Sequence, residues 1–338
     1  VRFLLSQPGP AFSVADVHAG WREALIGLGQ QVIDYNLDER LTFYDHALLP
    51  TEVDGRFRKA LDPDAVVQLA INGLYAALFK CRPDVLMVIS GFFLPTELYD
   101  LARANGIRVV LVHTECPYED DRQLAAAGHV DLNLVNDPVG IEAFAALAPT
   151  RYVPHAYRPT VHQPGPATPE LVCDLGFVGT GYPSRIQFFE AMDLAGLDVL
   201  LTGNWQALRE DSPLRGFVGH DPAECLDNSE AVGLYRSARV GINTYRREGI
   251  TAVGLAMGPR EVEMAACGLF FLRDPRPEGD GVLDMLPTFT SPAEASHLLR
   301  WYLDRPDERA ALSTKAREAI ADRTFHNHAA ALLRLLDQ

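Results

Sequence analysis

Short apolar runs alternate with segments of helical spacing along nearly the whole chain. Phe3-Leu4-Leu5 predicts a strand, and a Pro/Gly loop over residues 8–13 follows. Val14, Val17, Trp21, Ala24, Leu25 and Leu28 then fall on one face of a helix that Gly29 ends. Val32 to Tyr35 predicts the next strand, and Pro63 opens a helix over 63–80. Asp84 to Ser90 and Arg108 to His113 are apolar almost without interruption, the pattern of strands covered on both faces. Helices at 96–105, 120–127 and 138–147 and strands at 131–135 and 151–154 complete this half. The βαβα alternation implies a parallel sheet covered by helices.

Pro154, Pro159, Pro164, Pro166 and Pro169 crowd the next stretch, with Gly165 among them, and mark a linker. The alternation restarts at Asp174-Leu175-Gly176-Phe177-Val178. A helix over Pro183–Ala195 follows, then strands at 198–202, 239–243 and 269–272. Ser291-Pro292-Ala293-Glu294 reads as a capping box. Helices to Leu303, from Pro306 and over 326–336 close the chain. The expected architecture is α/β with two Rossmann-like domains. Residues 1–157 form the first, 158–172 a Pro-rich linker and 173–338 the second, the last helix packing back on the first domain.

Composition adds limits. The 338 residues are 48% hydrophobic and 22% charged, enough apolar material for two cores. The net charge of −15 disfavours bulk attraction to nucleic acid or an anionic membrane, though not a local basic pocket. Cys81, Cys116, Cys173, Cys225 and Cys267 are odd in number, widely spaced and without CxxC, which predicts free thiols in a reducing compartment. No stretch reaches membrane-span length and the start carries no leader core, so a cytoplasmic protein is expected.

Three places carry candidate chemistry. Gly179-Thr180-Gly181-Tyr182-Pro183-Ser184-Arg185 lies between a strand and a helix, where backbone N–H groups can meet a phosphate. Its plain alternative is a tight turn. As a dinucleotide fingerprint it fails, because Ser184 replaces the third glycine and the next strand ends in Thr202-Gly203-Asn204 without an acidic ribose ligand. The second place runs from Asn243 through a glycine-bearing loop to Gly258, then Pro259-Arg260-Glu261-Val262-Glu263 and Gly268. Arg260 in the first turn suits a diphosphate and Glu263 one turn on suits ribose hydroxyls. The alternative is an i,i+3 surface ion pair. The third is Ser13, Asp16 and His18 after the first strand, with Glu115 at the end of a buried strand as rival. Either group could serve as the base that deprotonates an attacking hydroxyl. A helix-decorating Asp16, a solvated His18 and a loop carboxylate at Glu115 are the alternatives. Ser90-Gly91-Phe92-Phe93 ends a strand and could line a groove. His326-Asn327-His328 and Glu119-Asp120-Asp121 are read as helix starts, not metal ligands.

DLGFVGTGYPSR, LLTGNW, GLYRSARVGIN, PREVEMAACGLFFLRD and the TSPAEASHLL to TFHNHAAALL segments occur in this order over residues 174–336. That half resembles the group-one type glycosyltransferase domain, in particular the branch with spore-maturation-type enzymes. The resemblance implies a GT-B fold, its two Rossmann-like domains facing across a cleft and closing about the Pro-rich hinge. It further implies a nucleoside diphosphate sugar donor in the second domain and an acceptor in the first, with no cofactor or metal. Gly179 and Thr180 match the family's diphosphate-side loop, and Arg260 and Glu263 its diphosphate and ribose contacts. Gly203 and Trp205 match the strand-end loop, and Val218 and His220 the segment near the nucleobase. Gly181, Arg185, Asn243, Gly258 and Glu261 complete the expected donor set. The family's second Glu, eight residues before the ribose ligand, is Leu255 here, so inverting and retaining outcomes both stay open. Transfer to a protein, glycan or small-molecule hydroxyl is the expected activity. A nucleotide-sugar epimerase or hydrolase and a non-catalytic nucleotide-sugar binder are the alternatives.

Overall fold

The computed structural model describes residues 1–9, 12–46, 51–53, 56–58, 61–223, 228–249 and 253–337. It divides into two compact units, Val1–Val153 with His328–Gln338, and Pro154–Asn327. The expected linker residues 158–172 thus count within the second unit, and the end of the chain within the first.

In the first unit β1 (Arg2–Ser6), α1 (Phe12–Gly27), β2 (Gln31–Tyr35), α2 (Leu37–His46), the hairpin strands β3 (Thr51–Val53) and β4 (Arg56–Arg58), and α3 (Pro63–Cys81) come first. Then follow β5 (Val85–Ile89), α4 (Thr96–Ala104), β6 (Arg108–His113), α5 (Asp120–Ala127), β7 (Leu132–Val135), α6 (Ile141–Ala145) and β8 (Thr150–Tyr152). The main sheet is wholly parallel in the order β2-β1-β5-β6-β7-β8. All five residues of β5 are buried, as its unbroken apolar run requires. Leu86, Val88, Val109 and Leu111 pack in one core with Leu74 and Leu78 of α3 and Leu98 and Ala102 of α4.

The second unit carries β9 (Cys173–Val178), α7 (Pro183–Glu190), β10 (Val199–Thr202), α8 (Asn228–Ser237), β11 (Ala238–Asn243), α9 (Pro259–Cys267), β12 (Phe271–Arg273), α10 (Pro277–Val282), α11 (Pro292–Leu303) and α12 (Pro306–Ala319). The terminal helix α13 (Phe325–Leu336) spans the boundary in sequence. The sheet order is β10-β9-β11-β12, again all parallel. Its core centres on Leu175, Phe177, Leu201, Val240, Ile242 and Phe271.

Local chemistry explains the departures from expectation. The helix from Pro183 stops at Glu190, well before Ala195, because Asp193 Oδ1 accepts from the Ala195 amide and Gly196 turns the chain at φ 74°. The helix expected from 138 shrinks to α6, since Asp137 caps Val139 and Gly140 adopts φ 76°. Ser291 caps Glu294 as expected, but the Glu294 carboxylate turns to the amide and hydroxyl of Thr290, one residue outside the box. Helix α2 was not expected, although Asn36 caps Glu39 in an Asn-Leu-Asp-Glu start that could have revealed it. Cys225 lies outside the described residues, and Cys81, Cys116, Cys173 and Cys267 are free thiols.

Gly241 shows how tightly the second core closes. A Cβ there would lie 2.6 Å from Met264 Sδ and 2.8 Å from Leu269 Cδ2. Gly241→Ala is therefore expected to lower unfolding stability by about 1–3 kcal/mol through overpacking, as read from urea denaturation.

Candidate functional site

A doubly wound sheet opens a crevice where the strand order reverses, beyond the carboxyl ends of its strands. In the second unit the chain passes from β9 to β10 on one side and returns to β11 on the other. The reversal lies between Val178 and Asn243, where the expected residues converge.

The loop after β9 is set by close backbone approach. Gly179 has φ 148° and Gly203 φ 104°, both in the region that favours glycine. A Cβ on Gly203 would meet the Gly179 carbonyl oxygen at 2.7 Å. The Gly179 amide donates to Thr202 O at 2.8 Å and the Gly181 amide to Asn204 O at 2.7 Å. Two of the amides expected to face a phosphate are thus spent on joining this loop to the end of β10. Gly181 also lies against the Trp205 ring. Trp205 is fully buried, edge-on to Phe177 at 5.8 Å and Phe189 at 6.0 Å, and donates through Nε1 to Thr202 O at 3.2 Å. It supports the loop from below and lines no open surface.

Arg260 joins the strand ends. Its Nε donates to Val178 O at the end of β9, and Nη1 donates to Asn243 Oδ1 at the end of β11 at 2.6 Å. The guanidinium carbon stands 4.5 Å from the Phe177 ring centre, and Nη2 abuts Gly179 so closely that a Cβ there would collide with it. Arg260 stays half-buried, with one edge toward the glycine loop. Asn243 Nδ2 is buried with no partner among the described residues, a spare donor beside that cation.

Helix α9 starts at Pro259, and its Glu261 carboxylate accepts from the Gly258 amide at 2.8 Å and from the Tyr245 hydroxyl. Burial raises the Glu261 carboxyl, outweighing the Tyr245 and Gly258 bonds and the charges of Arg273 and Arg260. Burial and Glu261 together push the Tyr245 hydroxyl well up. Glu261 is thus the internal cap of α9. Glu263, one turn on, is buried and accepts from the Tyr235 hydroxyl of α8 at 3.3 Å.

Arg185 is buried at the start of α7. Its Nε donates to Thr244 O and Nη1 to Thr180 O, both at 3.0 Å, so it ties the glycine loop to the loop after β11. The first turn of α7 also holds an anion that sequence reasoning missed. The Glu248 carboxylate accepts from the Ser184 amide at 2.6 Å and the Ser184 hydroxyl at 2.8 Å. Desolvation opposes these bonds, but they prevail and hold its carboxyl below the usual range. His220 accepts the Gly203 amide at Nε2, 3.2 Å, and its Nδ1 lies 2.7 Å from the Asp221 carbonyl, which assigns the Nδ1–H tautomer. Val218 bridges Leu201 of β10 and is half-buried.

In the first unit His18 sits on α1, buried, with Nε2 2.8 Å from Asp34 Oδ1 at β2. Arg22 Nε meets the other oxygen of Asp34 at 2.8 Å. Burial alone would raise the Asp34 carboxyl, but His18 and Arg22 outweigh it and hold it below its ordinary value. An Nε2–H bonded to a fixed carboxylate leaves Nδ1 as the basic position, the arrangement of an oriented general base. Asp34 was missed, because its partner lies 16 residues away on another element. Asp16 is buried on the same helix. Glu115 is half-buried, its carbonyl accepting from Tyr118 and Glu119 and its amide donating to Gln123 Oε1 at 3.2 Å. Ser90 is buried at φ 67°, a strained setting for a non-glycine residue at a strand end. His113 bonds Asn133 at 2.8 Å, and burial lowers its ring to about 4, so it stays neutral.

Residues 185–334 match the glycosyl transferase-like family. No curated protein matches the chain. Among solved structures, sucrose-phosphate synthase from Thermosynechococcus elongatus aligns at 12% identity, covering 99% of this chain and 98% of that one, with a TM-score of 0.67. A trehalose-6-phosphate protein from E. coli bound with UDP-2-fluoro glucose aligns at 14% identity over 100% and 99% of the two chains, with a TM-score of 0.65. An alpha-glucosyltransferase in complex with UDP and a 13-mer DNA containing an HMU base aligns at 14% identity over 99% and 98%, with a TM-score of 0.60. The fold is that of GT-B glycosyltransferases.

Two outcomes follow from this geometry. Gly203→Ala should destabilise the second unit and loosen the glycine loop, seen as lost amide protection at Gly179 and Gly181 in hydrogen exchange. The Asp34 carboxyl is lowered in the folded chain, so its stabilisation is complete above the unfolded value near 3.8 and is lost as pH falls through the lower folded one. Asp34→Asn should therefore flatten the acid limb of stability against pH, measured by thermal melts between about pH 2 and 6.

Proposed function

We propose that this protein transfers a sugar from a nucleoside diphosphate sugar, with uridine as the base, to a hydroxyl of a small molecule, glycan or protein. The observation that carries the reading is Arg260 at the strand-order reversal of the second sheet, clamped between Val178 and Asn243 with an edge toward Gly179. A guanidinium fixed there meets the diphosphate before and during its departure and needs little rearrangement as charge develops. The family match over residues 185–334 and the UDP-bearing structural neighbours support the same chemistry.

In the reaction the acceptor oxygen forms a bond to the anomeric carbon. The bond from that carbon to the diphosphate breaks, and its electron pair leaves with the diphosphate. The acceptor proton passes to His18 Nδ1, since Nε2 is held by Asp34. Glu263 binds ribose hydroxyls, and His220 with Val218 borders the base. Arg185, Trp205 and Glu261 act through the loops they hold. The net charge of −15 favours an acceptor without a phosphate backbone.

Calorimetric titration with UDP tests the donor site. Charge-assisted hydrogen bonds contribute about 1.5–3 kcal/mol, so Arg260→Ala should weaken UDP about ten- to a hundredfold, and an unchanged affinity would overturn the assignment. His18→Ala should leave UDP binding intact and lower kcat by about 10² to 10⁴. Sugar turnover that needs no acceptor would instead indicate an epimerase or hydrolase.

A further inference from the structure

The second sheet has an opposite edge, where β11 begins and the chain enters β12. There an open cavity of about 520 Å³ lies between α8, the end of α9 and α12. Four arginines line it, Arg236, Arg239, Arg309 and Arg317, and no carboxylate does among the described residues. In a chain with 45 acidic against 30 basic residues, such a one-signed cavity is not the outcome of average composition.

The arginines come from separate elements. Arg309, Ser313 and Arg317 repeat every fourth residue along one face of α12. Arg236 is in the last turn of α8, and Arg239 is the second residue of β11. Each of the first three has a structural bond. Arg236 donates to Gln163 O and Val161 O, Arg309 to Tyr302 O and Leu303 O, and Arg239 pairs with Asp174 at 2.8 Å. These bonds hold the guanidinium planes in place and leave N–H groups over. The Arg317 side chain makes no ion pair or hydrogen bond to any described residue. Desolvation, and after it the nearby Arg239 charge, lower the Arg309 guanidinium.

We propose that this cavity binds a phosphorylated small molecule, a phosphate ester or diphosphate, at a second site separate from that of the sugar donor. Fixed guanidinium forks suit phosphate oxygens, and the volume falls within the range of small-ligand sites. The site lies at the amino ends of the strands, whereas Arg260 lies at the carboxyl ends. It stands whether or not the reading of the donor site holds.

Pyrophosphate is the probe, titrated calorimetrically into the full chain carrying Arg260→Ala, so that the carboxyl-end site is disabled. Binding should persist in that background. Adding Arg239→Gln with Arg317→Gln, which spares the carbonyl contacts of Arg236 and Arg309, should weaken it about tenfold or more. Thr314→Asp, which places a carboxylate into the cavity, should do the same. Thermal melts verify that both variants remain folded. Pyrophosphate that fails to bind the Arg260→Ala chain, or binds it equally well after both changes, overturns the proposal.

Discussion

One guanidinium sets the carboxyl edge of the second sheet. Arg260 reaches from the first turn of α9 to the last carbonyl of β9 and the side chain of Asn243 on β11. A parallel sheet diverges at its strand ends, where ladder hydrogen bonds stop and loops must find other partners. Arg260 supplies such a partner for two strands at once. The requirement for glycine at 179 follows, since the cation fills the space a side chain would need. The requirement at 203 follows in turn, because the loop pressed down by Arg260 rests on the backbone there. Arg185 repeats the device one layer out, linking carbonyls of the two flanking loops.

Much of this was legible in the chain. The unbroken apolar runs at 85–89 and 109–112 identified buried parallel strands, because no solvent-facing period interrupts them. Pro63, Pro183, Pro259 and Pro306 marked helix starts, because proline tolerates the first turn and no deeper position. Gly179 and Asn243 stood out by their places after strands and Arg260 by its place in a helix's first turn, whereas Gly203 and His220 joined them only through the family resemblance. What escaped was pairing across elements. Nothing in the local pattern says that Asp34 receives His18, or that Glu248 reaches Ser184 64 residues away. Nor does it say which polar residues are supports. Arg185, Trp205 and Glu261 share the composition of ligand-binding positions, but their bonds to the backbone of Thr244, Thr180, Thr202 and Gly258 commit them to holding loops in place.

The candidate groups share one organisation. His18 has one ring nitrogen committed to Asp34, Arg260 has two nitrogens committed to Val178 and Asn243, and Asn243 has its oxygen committed to Arg260. Each is oriented through part of its bonding capacity and keeps another part in reserve. The division fixes geometry before any ligand arrives, so little ordering entropy is left for the binding step. Glu248 adds a constraint of its own. It occupies the amide and hydroxyl of Ser184, so an anion approaching that helix start meets a carboxylate already in place.

Trp205 has a consequence of another kind. The chain has three tryptophans. Trp21 is 1% exposed within the first unit and Trp205 fully buried within the second, whereas Trp301 is 45% exposed beneath the Arg305 guanidinium. Each unit therefore contains one indole shielded from water, and the second of these touches the glycine loop directly. Each shielded indole reports on the packing of its own unit. The signal from Trp205 is also an optical read-out of the loop above it, with no label added.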